Sequence, residues 1–575
     1  MNDIVFGKKD DVSVVLSGEA GQGIQTVEQI LTGLLKLSGY NIFGTKEYMS
    51  RVRGGSNSTL IRVSSRRVTS VVDAIDILIP FDRAAFDHVA SRVSTDTLII
   101  CEADKLFTDA MEPRERVIDI PFAALASEAG GAMYLNTVAT GVVAGLFEID
   151  RDVFEHHVRE YFAGNKDAVI HNNVTAGCNG FNEIQRLNKS GRIAIDIKRN
   201  AAVADEILMN GASAIGIGAI AGGCNFIASY PMSPATAVLV FLAAHSAEYG
   251  IVVEQAEDEI AAINMALGAW FAGARAMVST SGGGFALMEE AIGLAGMIES
   301  PIVVHLAQRP GPATGLPTRT EQGDLQLVFY AGHGEFPRII LAPGTLDDAV
   351  YCTHQAFNLA DKFQVPVFIM TDQYLMDTYY NIPSVNLSDM RIIKYIVKTS
   401  EGYRRYELTD SGISPRGIPG FGSGFVCADS DEHDEDGHIT EDLDLRVRMV
   451  DKRLAKLEAM RQDAIPPVLT GDAAYTVLVL GWGSTCNVIK EALSRIGRDD
   501  LAFLHFVQVY PLHPDTIDYL ARADKVIMIE GNATAQLAGM LKRELDFNVH
   551  ETILKYSGLQ FSVEELVERI MEKMG

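Results

Sequence analysis

Residues 12–39 read VSVVLSGEAGQGIQTVEQILTGLLKLSG, and this stretch decides the fold. It opens with VSVVLSG, an apolar run rich in β-branched side chains, which predicts a buried strand. The glycine-rich turn from Glu19 to Gly23 follows, and the apolar periodicity of VEQILTGLLKLSG predicts an amphipathic helix. A strand, a tight turn and a helix in this order are typical of parallel α/β layers.

The same order recurs in three blocks of the chain. Residues 1–190 add TLIRVSS, DILIP and TLIIC; residues 200–385 hold FIASYP, IVVE, AMVSTS, IVVHLA, RIILA and PVFIMT; residues 473–575 hold YTVLVLG, LAFLHFVQVYP and KVIMIEG. Residues 386–465 show little periodicity and include DSDEHDEDGHITEDLD, which predicts an irregular acidic connecting segment. The sequence therefore predicts an α/β fold with three parallel-sheet, three-layer domains.

Composition and charge narrow the range of functions that the chain could have. The chain has 575 residues, and its 49 Lys and Arg against 75 Asp and Glu give a net charge of -26, which opposes binding to nucleic acid or to anionic lipid. The start lacks the apolar core of a signal peptide, and the longest mainly apolar stretch, 212–228, is shorter than the roughly 20 residues that span a bilayer. We expect a soluble, cytoplasmic protein without a membrane partner.

The six cysteines lie far apart, and no two are spaced as CxxC. Without that spacing, local sequence cannot supply a tetrathiolate zinc site or a four-cysteine iron-sulfur cluster. His433 and His438 lie within the acidic run, but their spacing fits neither an EF-hand loop nor a zinc helix, so a solvated acidic loop is favoured. We predict no metal site on this chain.

The glycines of the first turn follow a strand and precede a helix. The backbone N–H groups of Gly21 and Gly23 are therefore candidates for contact with a phosphate at the positive end of the helix dipole. The middle glycine of a dinucleotide fingerprint is Ala20 here, and a tight turn needs glycine for steric reasons alone. A structural turn, an anion contact and a nucleotide site all remain open.

The second block carries unusual residues where its strands end, and an α/β sheet binds its ligands at that edge. Four motifs are placed there: YPMSP at 230–234, the acids Glu257 to Glu259 before an apolar helix, STSGGG at 279–284, and RPGPATGLPT at 309–318. The acids match the dipole of the helix, but a carboxylate beside so apolar a helix also indicates the edge of a buried interface. Arg309, held among prolines, is suited to a carboxylate, although an ordinary surface charge is the alternative.

These motifs resemble those of the 2-oxoacid:ferredoxin oxidoreductases, specifically an α subunit with a γ domain fused at its N-terminus. YPMSP is similar to the family's YPITP, and EQAEDEIAAINMALGA resembles its thiamine-pyrimidine helix. AQRPGPATGLPTRTEQGDL resembles the substrate loop of the 2-oxoglutarate enzymes, and GEAGQGI with EYMSRVRGG resembles the γ domain. The resemblance implies a γ-type domain at 1–190, a thiamine diphosphate pyrimidine-binding domain at 200–385 and a transketolase C-terminal-like domain at 473–575.

The resemblance also implies which residues form the site. In the family pattern, the glutamate that activates the pyrimidine is followed by small residues and, nine positions later, by a glycine. Glu259 fits this pattern better than Glu257, although Ile263 is bulkier than the pattern prefers. Glu259 and Arg309 are then the catalytic pair, and Ser233, Arg309 and Thr318 bind the oxoacid. Five further residues are implied to line the cofactor: Tyr230, Pro231, Ser281, Gly282 and Gly283. Gly21, Gly23, Arg51 and Arg53 are the implied contacts for CoA or another anion.

The sequence departs from the family in one important respect. It has no GDG followed by a distal Asn, the pattern that holds magnesium and the diphosphate in this family. The resemblance therefore implies a β subunit that supplies the Mg²⁺ and diphosphate site, a [4Fe-4S] cluster and the docking surface for ferredoxin. The implied assembly is an αβ heterodimer or an (αβ)2 heterotetramer.

The expected reaction is 2-oxoglutarate plus CoA plus oxidised ferredoxin giving succinyl-CoA, CO2 and reduced ferredoxin. It would be reversible, as in a reductive TCA cycle. The rival within the class is a pyruvate or branched-chain 2-oxoacid enzyme. A rival from another class is a non-catalytic nucleotide-binding module that uses the glycine turn.

Overall fold

The computed structural model describes residues 4–5, 10–19, 24–49, 55–107, 116–189 and 193–574. The strands are Ile4–Val5 (β1), Asp11–Glu19 (β2), Asn41–Glu47 (β3), Ser56–Ser64 (β4), Ile77–Pro80 (β5), Leu98–Cys101 (β6), Val117–Asp119 (β7), Ile193–Ala194 (β8), Ile207–Asn210 (β9), Phe226–Ser229 (β10), Val252–Gln255 (β11), Ala276–Thr280 (β12), Ile302–Gln308 (β13), Ile339–Leu341 (β14), Pro366–Asp372 (β15), Tyr379–Ile382 (β16), Val468–Gly471 (β17), Val477–Trp482 (β18), Leu501–Phe506 (β19), Gln508–Tyr510 (β20), Lys525–Glu530 (β21) and Glu551–Leu554 (β22).

The α-helices are Ile24–Leu37 (α1), Arg83–Val89 (α2), Ala103–Leu106 (α3), Phe122–Glu128 (α4), Leu135–Leu146 (α5), Arg151–Tyr161 (α6), Asp167–Leu187 (α7), Gly211–Ala221 (α8), Thr236–Ala244 (α9), Ser246–Tyr249 (α10), Glu259–Phe271 (α11), Gly282–Phe285 (α12), Glu289–Met297 (α13), Leu325–Phe329 (α14), Leu346–Phe363 (α15), Gln373–Asp377 (α16), Leu443–Gln462 (α17), Thr485–Ile496 (α18), Thr516–Ala521 (α19), Gln536–Leu545 (α20) and Val563–Met574 (α21).

The chain divides into two compact units. The first contains residues 1–209 with the short segments 378–385 and 562–564, and the second contains 210–377, 386–561 and 565–575. The domain boundaries expected from the sequence remain predictions.

The first unit is built on a mixed sheet with the order β7-β6-β5-β2-β4-β3-β16-β9 over the described residues. Strands β2, β5, β6 and β7 run parallel, as the sequence predicted, whereas β2 with β4, β4 with β3 and β3 with β16 pair antiparallel. Helices α1, α5 and α7 pack their apolar faces into one core on this sheet.

The second unit contains two sheets. The larger has the order β11-β10-β12-β13-β15-β14-β20 over the described residues, and all its pairs are parallel except β14 with β20. The smaller has the order β17-β19-β18-β21-β22. Segment 501–511, expected as one strand, divides at Val507 into β19 of the smaller sheet and β20 of the larger. The α/β class with three main sheets is confirmed.

The connecting segment is irregular from 386 to 442 apart from isolated bridges, and it then forms α17. Its acids are not merely solvated, because Glu432 pairs with Arg446 and Arg453, and Glu435 pairs with Arg404. His433 is buried against the ring of Tyr406. In the part of the chain that the structure describes, no three His, Cys, Asp or Glu side chains are grouped so that they could hold a metal ion. Over the same residues, no helix is both long and apolar enough to cross a bilayer.

Candidate functional site

The predicted site motifs of the second block lie at one edge of the larger sheet. Strands β10, β11, β12 and β13 are parallel neighbours, so their carboxyl ends lie side by side. YPMSP follows β10, the acids follow β11, the glycine turn follows β12 and Arg309 follows β13. This is the edge at which open α/β sheets bind ligands.

Glu259 is the first residue of α11 and is only 3% exposed. The helix begins there because the Asp258 side chain accepts a hydrogen bond from the backbone N–H of Ala261, an N-cap that the run of acids supplies. Oε1 of Glu259 is buried and has no hydrogen-bond partner among the described residues, which is costly unless a ligand provides one. Glu257 is exposed. The burial therefore favours Glu259 over Glu257 as the cofactor-binding acid.

The glycines of the STSGGG turn leave room for the carboxyl groups of Glu259 and Asp324. A β-carbon on Gly284 would overlap Oε1 of Glu259 and the hydroxyl of Thr280, and a β-carbon on Gly282 would overlap the carboxyl of Asp324. The Ser281 hydroxyl is buried and has no partner within the described residues. The turn therefore offers bare backbone and an unused hydroxyl beside Glu259.

Arg309 and Ser233 are brought together. Nη1 of Arg309 donates a hydrogen bond to the Ser233 carbonyl oxygen at 2.7 Å. Burial lowers the pKa of Arg309, although the nearby Asp324 carboxyl opposes this shift, so the guanidinium pays a desolvation cost that an anionic ligand would offset. The Ser233 side chain is exposed, and loop 311–316 is exposed as well.

The remaining predicted residues are less enclosed. Tyr230 is 40% exposed, and Thr318 and Pro231 are half-buried. Gly283 is exposed, and a β-carbon there would lie 3.5 Å from the Ala313 carbonyl oxygen of the Arg309 loop. Gly21, Gly23, Arg51 and Arg53 lie outside the described residues.

Asp324 is a site residue that the sequence analysis did not single out. Its backbone N–H donates to Oε1 of Gln308 at 3.0 Å, and Nε2 of Gln308 donates to the Thr371 carbonyl at 3.1 Å. Burial, with the nearby charge of Glu321, raises the pKa of Asp324 to about 7, while Arg309 lowers it. The signal in the sequence was the acid in TEQGDL, but an acid in a loop is usually solvated.

Segment 320–326 is held by the last block. Gln322 is 2% exposed, and its Nε2 donates to the Trp482 carbonyl at 2.8 Å while its Oε1 accepts from the Gly531 N–H at 2.7 Å. Nε2 of Gln536 donates to the Gly323 carbonyl at 2.8 Å. These bonds fix the backbone on both sides of Asp324, so residues of the last block, 473–575, position this loop.

Hydrogen bonds between strands hold the edge rigid. Nδ1 of His305 lies 2.8 Å from the Ser279 hydroxyl, and its Nε2 lies 2.9 Å from the Thr371 hydroxyl. Burial lowers the pKa of His305 to about 3, so the ring is neutral and one of its nitrogens accepts. The backbone N–H of Ser279 donates to the Ser229 hydroxyl at 2.9 Å. Strands β10, β12, β13 and β15 are thus joined by side chains as well as by the backbone.

Two family models match the chain. Residues 217–452 match "Pyruvate flavodoxin/ferredoxin oxidoreductase, thiamine diP-bdg", and residues 13–183 match "Pyruvate ferredoxin/flavodoxin oxidoreductase". The 2-oxoacid:ferredoxin oxidoreductase subunit alpha of Sulfolobus sp is 33% identical over 98% of this chain and 96% of that protein. The chain belongs to the 2-oxoacid:ferredoxin oxidoreductase α subunits.

Two further proteins are similar to this α subunit. The 2-oxoglutarate synthase subunit KorA of Archaeoglobus fulgidus is 32% identical over 57% of this chain and 88% of its own length. A solved structure, 2-oxoglutarate:ferredoxin oxidoreductase from Magnetococcus marinus with 2-oxoglutarate, coenzyme A and succinyl-CoA bound, superimposes with a TM-score of 0.91 at 30% identity and covers 99% of this chain and 100% of that chain. The family prediction is confirmed, and this α subunit is part of an oxidoreductase.

The described residues fit one end of thiamine diphosphate. The buried, unpartnered Oε1 of Glu259 offers an acceptor, and it packs against Gly284, where any side chain would displace it. A buried acceptor beside bare backbone is able to hold one end of the cofactor.

Proposed function

We propose that this chain is the α subunit of a thiamine diphosphate-dependent 2-oxoglutarate:ferredoxin oxidoreductase. The reaction is 2-oxoglutarate plus CoA plus oxidised ferredoxin giving succinyl-CoA, CO2 and reduced ferredoxin. The observation that carries the proposal is the buried, unpartnered carboxyl of Glu259 beside the glycine turn, with Arg309 at the end of the neighbouring strand. The names of the KorA relative and of the Magnetococcus marinus structure support 2-oxoglutarate as the substrate.

Each side chain has a role in this proposal. Glu259 hydrogen-bonds the pyrimidine ring and controls its protonation, which is a task for a carboxyl group shielded from water. Thiamine diphosphate, when bound, supplies the nucleophilic carbon that adds to the oxo group of the substrate. Arg309 binds the oxoacid carboxylate by charge-assisted hydrogen bonds, and its bond to the Ser233 carbonyl fixes the direction of the guanidinium. Ser233 binds the oxo group, and Thr318 limits the pocket.

The exposed face of α11 supports a partner at this site. Ile260, Met265 and Phe271 of this helix are 51%, 38% and 41% exposed, although helix α11 is almost wholly apolar. Leu287, next to the glycine turn, is 53% exposed. Large exposed apolar side chains on one helix and on the turn beside its end are typical of a protein interface. We infer that a β subunit covers this face and closes the cofactor site.

The β subunit would supply the parts of the enzyme that this chain does not provide. We propose that it supplies the Mg²⁺ and diphosphate site and a [4Fe-4S] cluster, and that ferredoxin docks on it, because a chain of charge -26 repels an acidic ferredoxin. The proposal also includes CoA contact through the first unit, an (αβ)2 assembly, a cytoplasmic location and a reversible reaction, as in a reductive TCA cycle.

The test is a dye-linked assay of the purified chain alone, its β subunit alone, and the two mixed. Each sample receives 2-oxoglutarate, pyruvate or a branched-chain 2-oxoacid, with CoA and thiamine diphosphate. We expect activity only in the mixture and the highest kcat/KM with 2-oxoglutarate. Higher kcat/KM with pyruvate would support the rival substrate that the names of the two matching families carry, and decarboxylation by the chain alone would contradict the shared site.

A further inference from the structure

Two buried arginines of the second unit keep donors that no other described residue accepts. Arg405 and Arg416 are 6% and 3% exposed, yet Nη1 of Arg405 and Nε of Arg416 have no hydrogen-bond partner within the described part of the chain. Other nitrogens of the same groups are engaged: Nη2 of Arg405 donates to the Glu299 carbonyl at 2.7 Å, and Nη2 of Arg416 donates to Oδ1 of Asp361 at 2.6 Å. A buried, charged donor without an acceptor is costly, so an acceptor from solution would be bound.

Both arginines line one small cavity. It leaves about 20 Å³ for the centre of a water-sized sphere, which is room for about one water molecule or one monatomic ion. Aromatic rings form part of its wall, because Cζ of Arg405 lies 4.8 Å from the centre of the Tyr406 ring and Cζ of Arg416 lies 5.5 Å from that of Trp270. Phe271, which also lines the cavity, is 41% exposed, so a small ion can enter from solvent.

The first of two charged clusters beside the cavity has more cations than acids. Nη1 of Arg275 and Nη2 of Arg416 lie 3.2 and 2.6 Å from the two oxygens of Asp361, and all three side chains are almost fully buried. The pKa of Arg416 is lowered by burial, Asp361 opposes that shift, and the charge of Arg405 adds to it. The two arginines that line the cavity therefore repel each other.

The second cluster also has more cations than acids. Nζ of Lys452 and Nζ of Lys456 share the Glu299 carboxylate, and each of these side chains is 1% exposed. Arg405 donates only to backbone carbonyls of this cluster and pairs with no acid among the described residues. Glu432 does not offset the excess, because it already pairs with two arginines of α17. Buried cations that outnumber the acids are unstable unless an anion compensates them.

We propose that Arg405 and Arg416 form a binding site for one halide-sized anion, which is chloride in ordinary solution. Nη1 of Arg405 and Nε of Arg416 donate charge-assisted hydrogen bonds to it. A water molecule would accept these bonds but leave the excess charge in place, and a phosphate or a carboxylate is too large for the cavity. Both arginines belong to the connecting segment and the cavity borders the end of α11, so the ion fastens this segment to the larger sheet's helices. The site uses neither the oxoacid nor thiamine diphosphate.

The experiment measures the midpoint of thermal unfolding of the full chain in sodium chloride and in sodium gluconate at equal ionic strength and pH. Wild type is compared with Arg405→Gln and with Arg448→Gln, which changes an exposed arginine of α17. We expect chloride to raise the midpoint of wild type and of Arg448→Gln by about 1–3 °C relative to gluconate. In Arg405→Gln the two salts should give the same midpoint.

A second measurement needs no variant and decides the question if Arg405→Gln does not fold. Crystals of the wild-type protein grown with bromide in place of chloride should show an anomalous peak between Nη1 of Arg405 and Nε of Arg416. An empty or water-filled cavity would overturn the proposal, as would a wild-type midpoint that does not respond to chloride or an equal response in Arg405→Gln. A bromide peak without any chloride effect on the midpoint would show binding at crystal concentration only and would overturn it as well.

Discussion

Nη1 of Arg309 donates a hydrogen bond to the carbonyl oxygen of Ser233 at 2.7 Å, which joins the ends of β13 and β10 across the edge of the sheet. β12 lies between these two strands. The bond therefore links the segments that follow the two strands on either side of β12. The planar fork of Arg309 keeps further N–H groups that can face a carboxylate.

Arg309→Lys tests this arrangement. Lysine keeps the charge but loses the planar fork, so it cannot bond the Ser233 carbonyl and a carboxylate in the same geometry. We expect the KM for 2-oxoglutarate in the αβ enzyme to rise about tenfold to a hundredfold. Arg495→Lys, in a surface ion pair on α18, is the control and should leave KM unchanged. Equal KM values for Arg309→Lys and wild type would remove Arg309 from the site.

Glu259→Gln and Glu257→Gln form a matched pair. Both changes remove a carboxylate and keep the size of the side chain, but only Glu259 is buried with an unused oxygen. We expect kcat to fall about 10²- to 10⁴-fold in Glu259→Gln and to change little in Glu257→Gln, with both variants still assembling with the β subunit. A larger loss in Glu257→Gln would move the assignment to that residue.

Gly284→Ala tests the space beside Glu259. The added methyl group would overlap Oε1 of Glu259 and the Thr280 hydroxyl, so the carboxyl must move from its present position. We expect the apparent affinity of the αβ enzyme for thiamine diphosphate to fall about tenfold or more. Gly539→Ala in α20 is the control, because a β-carbon there meets nothing within 4 Å. If titration with the cofactor gave the same affinity for both variants, the glycine turn would not border the cofactor.

Met265→Lys tests the β-subunit interface. It places a charge on the exposed apolar face of α11, and a charge buried without a partner on association is costly. We expect the dissociation constant for the β subunit, measured by calorimetry, to rise at least about tenfold. Val447→Lys, at a 58% exposed position of α17, is the control. Similar dissociation constants for the two variants would place the interface elsewhere.

Much of the site could be predicted from the sequence because its residues follow strands directly. A strand in a parallel sheet delivers the next residues to a known edge, so YPMSP, the acids, the glycine turn and Arg309 could be placed together from the sequence. Their roles still rest on the family resemblance. The sequence also favoured Glu259 over Glu257, and the burial of Glu259 supports that choice.

Asp324 could not be predicted in this way because its burial depends on distant residues. Gln322 and Gln536 hold its loop through bonds that join residues 160 to 213 positions apart. Similarly, the first sheet is extended beyond β3 by β16, which joins it from more than 300 residues away. Local pattern predicts strands and turns, but it does not say which distant strand completes a sheet or which loop becomes buried.

A buried cluster of charges fastens α17 to the second unit. Glu299, Lys452 and Lys456 each have a side chain only 1% exposed, and Nζ of Lys452 and Nζ of Lys456 lie 2.5 and 2.6 Å from the two oxygens of Glu299. Nη2 of Arg405 also donates to the Glu299 backbone carbonyl at 2.7 Å. Burial alone would raise the pKa of Glu299, but the charges of Lys456, Lys452 and Arg405 outweigh it and hold the pKa well below its usual range.

Glu299→Gln should therefore destabilise the second unit. It leaves two buried ammonium groups without a counter-charge, which costs about 3–5 kcal/mol and should lower the midpoint of thermal unfolding at pH 7. Because the folded-state pKa of Glu299 is depressed, its stabilisation is present above the pKa of the unfolded chain and is lost as the pH falls, so the difference from wild type should narrow in acid. Asp546→Asn, in the exposed pair with Lys542, is the control. If Glu299→Gln shifted the midpoint no more than this control, the cluster would not hold α17 in place.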